Sequence, residues 1–332
     1  GGLCRFASEY PEIAARYYGK LAQTSANGVV ALNTMLAQDG FVVYVPKHTV
    51  VERPIQLVNI FRSDVDTMAN RRILFIVEEN AEARLLVCDH SIDDVKFFSN
   101  QVIEIFAGAN ARADYYDLEE SSVSTTRFSN LFVRQEAHSS VVVNGVTLTN
   151  GLTRNNYFVS LEGEGADLSL CGMSVLDKEQ QLDTYSLVHH KVPHWTCNEL
   201  FKNVLNDRAI GAFSGRILVE QGADKTEAYQ TNRNLCATRE CRMYSKPQLE
   251  IYADDVKCSH GMSTGQLDEN AFFYMQSRGI SRDEARMLLS VAFTSDVIEH
   301  VRLEALKDRL HKLVEKRFRG ELAKCAGCRI CK

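Results

Sequence analysis

The side chains best suited to chemistry in this 332-residue chain are its ten cysteines and nine histidines. Three groups stand out by spacing. The first is Cys258 and His260. If a strand runs through this stretch, Asp254, Val256, Cys258 and His260 share one face, and the thiol and imidazole can address a single ion or sulfur species. Those are ligand types that suit iron and zinc. The alternative is a strand end whose Cys and His merely pack. The second group, His189-His190-Lys-Val-Pro-His194-Trp195-Thr-Cys197, holds three imidazoles, a thiol and the only Trp of the chain. Adjacent residues of a strand point to opposite faces, so at most one of His189 and His190 can join His194 and Cys197 without a bend; structural or exposed histidines are the favoured reading. The third is the tail, Cys325-x-x-Cys328-x-x-Cys331, which has the spacing of an iron–sulfur or zinc loop but no fourth ligand adjacent in sequence. It reads either as a metal site or as a frayed, reduced terminus.

Other chemistry is excluded or unsupported. No Gly-x-x-x-x-Gly-Lys-Ser/Thr motif occurs, so no P-loop cradles a triphosphate and the chain is not itself the ATPase of any complex it joins. Gly163-Glu-Gly165 lacks the third glycine and the following helix of a dinucleotide loop, and reads as a turn. The remaining cysteines are scattered singly through a long chain, which suits reduced thiols better than a disulfide framework. A net charge of -5 gives no electrostatic reason to expect a nucleic-acid or anionic-membrane partner. The longest apolar stretches, such as 41–45 and 141–143, fall far short of the roughly 20 residues of a membrane span. The start at Gly1-Gly2-Leu3, with no initiator Met and no secretory segment following, reads as a processed or trimmed fragment of a cytosolic protein.

The elements that must position these residues change character along the chain. Residues 10–21 place Tyr10, Ile13, Ala14, Tyr17, Tyr18 and Leu21 at helical spacing, with Pro11 in the first turn. From Phe41 to about Tyr252 the pattern becomes short alternations of β-branched and aromatic residues with polar ones. A turn signature recurs within it, at Asn80-Ala81, Asn110-Ala111, Gly165-Ala166 and Gly222-Ala223, with Glu136-Ala137-His138-Ser139 as a degenerate copy. Its gaps fit a repeat of roughly 28 residues. One unit, residues 166–190, is two long strands broken by Asp177-Lys-Glu179, and such units bury their apolar faces only when stacked, as in a flattened β-solenoid. The fold expected is mainly β, a β-helix of long strands with about two per turn, flanked by α-helical terminal regions. The corresponding division is 1–40 helical, 41–264 β-helix core and 265–332 helical with the Cys-rich tail.

After Gly265 the pattern is helical. Residues 268–278 form a short helix stopped by Gly279, and Ser281-Arg-Asp-Glu284 is a capping box for the next. A long helix is expected over 295–319, with Val297, Val301, Leu306, Leu310, Leu313 and Val314 on one face, packed on something: the open end of the solenoid, or another protein.

The most specific stretch is Lys246-Pro-Gln-Leu-Glu-Ile-Tyr-Ala-Asp-Asp-Val-Lys-Cys-Ser-His-Gly-Met-Ser-Thr-Gly-Gln-Leu-Asp268, followed by Phe272-Phe-Tyr-Met-Gln-Ser-Arg-Gly279 and Glu284-Ala-Arg286. It resembles the signature region of the SufD family, the paralogues of SufB in the Suf iron–sulfur cluster assembly system. The likeness extends to Val51-Glu-Arg-Pro-Ile-Gln-Leu-Val58, Asn203-Val-Leu-Asn-Asp207, Phe213-Ser-Gly215 and Thr231-Asn-Arg-Asn-Leu235, and so spans nearly the whole chain. Cys236, Cys241 and the tail cysteines fall outside it. The resemblance implies a non-catalytic, cytoplasmic scaffold subunit in a complex with SufB and the ATPase SufC, or a homodimer in isolation, with no membrane or nucleic-acid partner. It implies no tightly bound cofactor in the isolated chain, only a transient cluster shared with SufB at Cys258 and His260. It also places SufC binding around Phe272, Phe273, Tyr274 and Arg278. Two competing functions are a stand-alone iron or zinc carrier using Cys325, Cys328 and Cys331, and a carbohydrate-active β-helix using acids such as Asp254 and Asp255.

Overall fold

The structure, a computed structural model, describes residues 1–25 and 27–322. Alternating β-branched, aromatic and polar residues produce sixteen strands among the described residues. In chain order they begin with β1 (Gly40–Val45), β2 (Ile55–Phe61), β3 (Thr67–Val77), β4 (Glu82–Ser91), β5 (Phe97–Ala107), β6 (Arg112–Glu120), β7 (Thr125–Gln135) and β8 (Ser140–Thr149). They continue as β9 (Leu152–Leu161), β10 (Asp167–Leu176), β11 (Gln181–His190), β12 (Thr196–Leu205), β13 (Ile210–Val219), β14 (Glu227–Cys236), β15 (Arg242–Ile251) and β16 (Lys257–Gly265). Odd-numbered strands form one eight-stranded sheet and even-numbered strands the other, each strand pairing in parallel with the one a turn away. The chain is therefore the expected β-solenoid, with side chains bonded one turn apart separated by 26 to 34 residues in sequence.

The recurring turn signature is the corner of this coil. Asn80, Asn110, His138, Gly165, His194 and Gly222 all take positive φ, and the residue after each, Ala81, Ala111, Ser139, Ala166, Trp195 or Ala223, is buried. Asn and Gly tolerate the left-handed conformation at low cost, which explains why they mark the signature. His194 and Trp195 fill the place where no signature had been read. The corners also stack: the N–H of Asn80, Asn110 and His138 donates to Ala109, Ala137 and Glu164 O in the next turn, at 2.8–2.9 Å.

Between the sheets the interior has two halves. Near these corners, alternate side chains such as Phe75, Val87, Ile105, Val133, Val143, Leu170, Phe201 and Phe213 form one continuous apolar core. Toward the opposite corners the same alternation buries polar groups. Asp89 takes a bidentate pair from Arg71 at 2.6 and 2.7 Å and a bond from Arg127 Nε at 3.1 Å. Arg127 also donates to Asp117 at 2.5 Å and Asn155 at 3.1 Å, while Glu119 accepts from Ser121, Thr147 and Thr153. Burial alone would raise the Asp89 carboxyl, but the two guanidiniums outweigh it and hold it at about 2; Asp117 and Glu119, with burial dominant, are raised.

The terminal helices lie on the outer faces. α1 (Leu3–Glu9) and α2 (Pro11–Tyr17) pack Leu3, Phe6 and Tyr17 against Val42, Leu74, Ile76 and Phe106 of the odd sheet. Buried Glu104 anchors the segment that follows by accepting from the N–H groups of Gly19, Leu21 and Ala22, and Asn33 of α3 (Gly28–Leu36) donates to Arg71 O and Asn100 O. At the other terminus α4 (Glu269–Ser277) ends near Gly279, with φ +84, and α5 (Arg282–Glu299) starts at Ser281, whose hydroxyl caps Glu284 N as expected. The single long helix expected over 295–319 is corrected: α5 stops at Glu299 and α6 (Glu304–Phe318) begins anew after a break over 300–303. The apolar residues are the expected ones, but the five-residue step from Val301 to Leu306 spans this break. Both helices lie on the outer face of the even sheet, where Val297, Ile298, Val301, Leu306, Leu310 and Val314 meet residues including Leu86, Tyr116, Val146 and Met173. They do not cover the open end. Lys202 ties α5 down through an ion pair with Asp296 and a bond to Phe293 O, and Arg317 ties α6 to Asp177 at 2.8 Å.

Replacing Arg127 with Met should strand Asp89, Asp117 and Glu119 with one remaining cation and cost about 3–5 kcal/mol in urea unfolding. Adding Asp117→Asn should recover part of that loss. An Arg127→Met protein as stable as the parent would remove the network from the account of stability.

Candidate functional site

β15 and β16 end the two sheets: among the described strands β15 pairs only with β13, and β16 only with β14. β16 is exposed along almost its whole length. Its alternation places Cys258, His260, Met262 and Thr264 on the face that continues the solenoid interior. The register sets Cys258 beside Ala228 and, one turn further in, Cys197, and sets His260 beside Gln230 and then Glu199. Cys258 is partly buried against the apolar core, and that burial raises its thiol, while His260 is exposed. The two expected site residues therefore lie on one strand face at the unpaired end of the coil.

Beneath His260 runs a short polar column. Ser186 Oγ donates to Glu199 Oε2 at 2.6 Å and Gln230 Nε2 donates to Oε1 at 3.1 Å. Burial pushes the Glu199 carboxyl up to about 7 despite these two bonds. Gly215 makes room for Gln230, since a Cβ there would lie 2.4 Å from its Nε2. Gln230 is 1% exposed, and its Oε1 has no hydrogen-bond partner among the described residues. Sequence reading missed this column. The available signal was Glu199 between Cys197 and Phe201 at inward parity on a strand.

Elsewhere the structure separates what the sequence had grouped. His189 bonds Glu220 at 2.6 Å on the outer face, whereas His190 is fully buried, edge-on to Trp195 at 6.4 Å, and burial lowers its imidazole to about 3. His194 is a corner residue and Cys197 a core thiol. Among the described residues no cluster of three His, Cys, Asp or Glu side chains is placed to hold a metal ion. Cys325, Cys328 and Cys331 lie outside the described residues. Asp254 and Asp255 stand in a corner, where both backbone N–H groups donate to Asp224 at 3.2 Å and Asp255 ion-pairs with Lys225.

On α4 the aromatic group divides. Phe272 is 3% exposed, with Arg282 over its ring at 5.3 Å, so it belongs to the packing. Phe273 is 76% exposed, and Arg278 lies over the exposed ring of Tyr274 at 4.8 Å.

The fold is a parallel two-sheet β-solenoid whose last strands end in unpaired edges, with one thiol and one imidazole on the inward face of the final strand. Comparison with known proteins names the family. The model described as "SUF system FeS cluster assembly, SufBD core domain" matches residues 60–293, and "SufBD protein N-terminal region" matches residues 1–57. The chain belongs to the SufBD family of the SUF iron–sulfur cluster assembly system, as its signature region indicated. It is 32% identical to an iron-sulfur cluster assembly SufBD family protein of Synechocystis sp., over 94% of this chain and 70% of that protein. It is similar at 29% identity to the iron-sulfur cluster assembly protein SufD of Escherichia coli, over 81% of this chain and 64% of the relative, and at 26% to SufD of Bacillus subtilis, over 94% and 72%. The aligned region thus spans between 64% and 72% of these relatives' lengths.

Glu199 gives a pH test. Its carboxyl is raised from 4.5 to about 7 in the folded protein, so between those values the native state holds more proton than the unfolded one and stability falls as pH rises, levelling above 7. Glu199→Gln should remove that slope and stabilise the protein by about 3 kcal/mol above pH 7, with little gain near pH 4.5. Parallel melting-temperature profiles for the two proteins would refute this assignment of the slope.

Proposed function

We propose that this chain is a non-catalytic scaffold subunit for iron–sulfur cluster assembly, working in the cytoplasm. It pairs through the C-terminal edges of its solenoid with a SufB-like paralogue and through α4 with a SufC-like ATPase. The observation that carries the reading is the position of Cys258 and His260 on the last strand, facing an end whose sheet edges are unpaired. A thiolate and an imidazole supply only two of the ligands a cluster usually takes. The others come from whichever chain docks there, so the cluster is cargo held between two subunits rather than a cofactor of this one. Free strand edges recruit further strands, and without the paralogue a second copy of the chain can take the same place.

On α4 the contact falls to Phe273, Tyr274 and Arg278, which are exposed, while Phe272 holds the helix in place. The helix follows β16 after a short link, so movement of the ATPase acts close to the strand that carries Cys258 and His260.

The test is co-purification with the paralogue and ATPase, followed by iron and sulfide analysis of the assembled complex. Cys258→Ala and His260→Ala should each lower cluster loading several-fold while the complex stays intact by gel filtration. Full loading in both variants would reduce the pair to packing. Phe273→Ala with Tyr274→Ala should abolish ATPase binding without shifting the melting temperature, and unchanged affinity would remove α4 from the interface.

A further inference from the structure

Cys236 and Cys241 lie at the opposite side of the last turns from the corner beside Cys258, and the function just proposed does not use them. They flank the loop between β14 and β15. In the two preceding turns this corner is closed by apolar side chains: Leu176 and Leu182 before it, then Leu205 and Ala209, all in one small cluster. Cys241 is buried in that same cluster and Cys236 packs against it, partly exposed. Register pairs Leu205 with Cys236 and Ile210 with Arg242, so the loop carries one residue more than its predecessor. Cys241 Sγ reaches back to Thr238 O at 3.2 Å, and Thr238 and Glu240 line a groove of about 1000 Å³ with Lys178, Asp207 and Arg208. The structure thus packs two thiols into one small cluster at the two ends of this loop, one buried and one partly exposed, where an apolar pair alone would serve packing.

We propose that Cys236 and Cys241 are a dithiol site that closes reversibly to an intrachain disulfide by exchange with a low-molecular-weight disulfide of the glutathione type. One thiolate attacks the small disulfide, forming a mixed disulfide and releasing one small thiolate. The second thiol loses its proton to solvent and attacks the protein-side sulfur, closing the ring and expelling the other small thiolate. The dithiol is oxidised by two electrons, and the small disulfide is reduced to two thiols. The bridge fixes the loop that leads into β15, the last strand of the odd sheet. The other described cysteines lie outside this cluster: Cys88, Cys171 and Cys197 are in the packed interior or under the terminal helices, Cys258 is near the start of β16 at the opposite corner, and Cys4 is on α1. Burial and the neighbouring Cys241 thiol raise the Cys236 thiol, so ring closure should quicken as pH rises.

The experiment uses the intact chain, equilibrated with oxidised and reduced glutathione at several ratios under mildly alkaline conditions, then alkylated and digested with trypsin. Arg239 lies between the two cysteines, so cleavage separates them unless they are bridged. The expected result is one linked pair, Asn234-Leu-Cys-Ala-Thr-Arg239 joined to Glu240-Cys-Arg242, which disappears on reduction. Cys241→Ser should instead retain glutathione on the partly exposed Cys236, because the resolving thiol is gone. Persistent glutathione on the wild-type chain, preferential bridging to a tail cysteine, or no linked pair when a control dithiol is fully oxidised would each overturn the proposal. If the variant does not fold, the wild-type peptide map decides by itself.

Discussion

Parallel stacking in near register is the interaction on which the rest of this molecule depends. Each strand forms its ladder with the strand one turn before and one turn after, so inner turns satisfy their backbone groups on both sides. The coil can continue only if every corner turns through the same angle, and a left-handed residue followed by a buried one does this at Asn80, Asn110, His138, Gly165, His194 and Gly222. Repetition also determines where the molecule is incomplete. A solenoid satisfies everything except its ends, and at β15 and β16 the ladder stops while the inward-facing side chains continue.

The interior can be polar along one side because stacking holds each polar group beside a partner from the next turn. Asp89, Arg71, Arg127 and Asp117 would be costly singly, but the ladder brings them within hydrogen-bond range from strands distant in sequence. Toward the open end the charge content falls: Glu199 has neutral neighbours in Ser186 and Gln230, and Asn203, Asn232 and Asn234 bond one another and Ser245. Burial therefore dominates Glu199 where guanidiniums dominate Asp89, and the two carboxyls move in opposite directions within one scaffold.

Much of this was legible in the sequence because repetition multiplies a weak signal. No single Asn-Ala turn is diagnostic, but several at multiples of one period are, and the missing member was His194-Trp195, hidden because a His had taken the left-handed position and a large aromatic the buried one. Strand parity correctly separated His189 from His190. Two features were not legible. The break between α5 and α6 carries no Gly or Pro, only a change in apolar spacing at Val301 and Leu306. Burial on α4 is set by where Arg282 and α5 lie, which local pattern does not encode; Phe272 and Phe273 are neighbours of the same type with opposite exposure.

The placement of the terminal helices gives the open end its meaning. Apolar stripes on α5 and α6 need a surface, and either the solenoid end or a sheet face could have supplied one. The outer face of the even sheet does so because Leu86, Tyr116, Leu118, Val142, Val146 and Met173 form an apolar strip there, which would otherwise be exposed. Lys202, Asn144, Arg302 and Arg317 then fix the helices in register through Asp296, Val297 O, Asp114 and Asp177. With their apolar faces committed sideways, α5 and α6 are not available as a cap. The last strand consequently presents Cys258 and His260 at an edge that the described helices leave uncovered, because the apolar stripes of those helices are already satisfied on the sheet face.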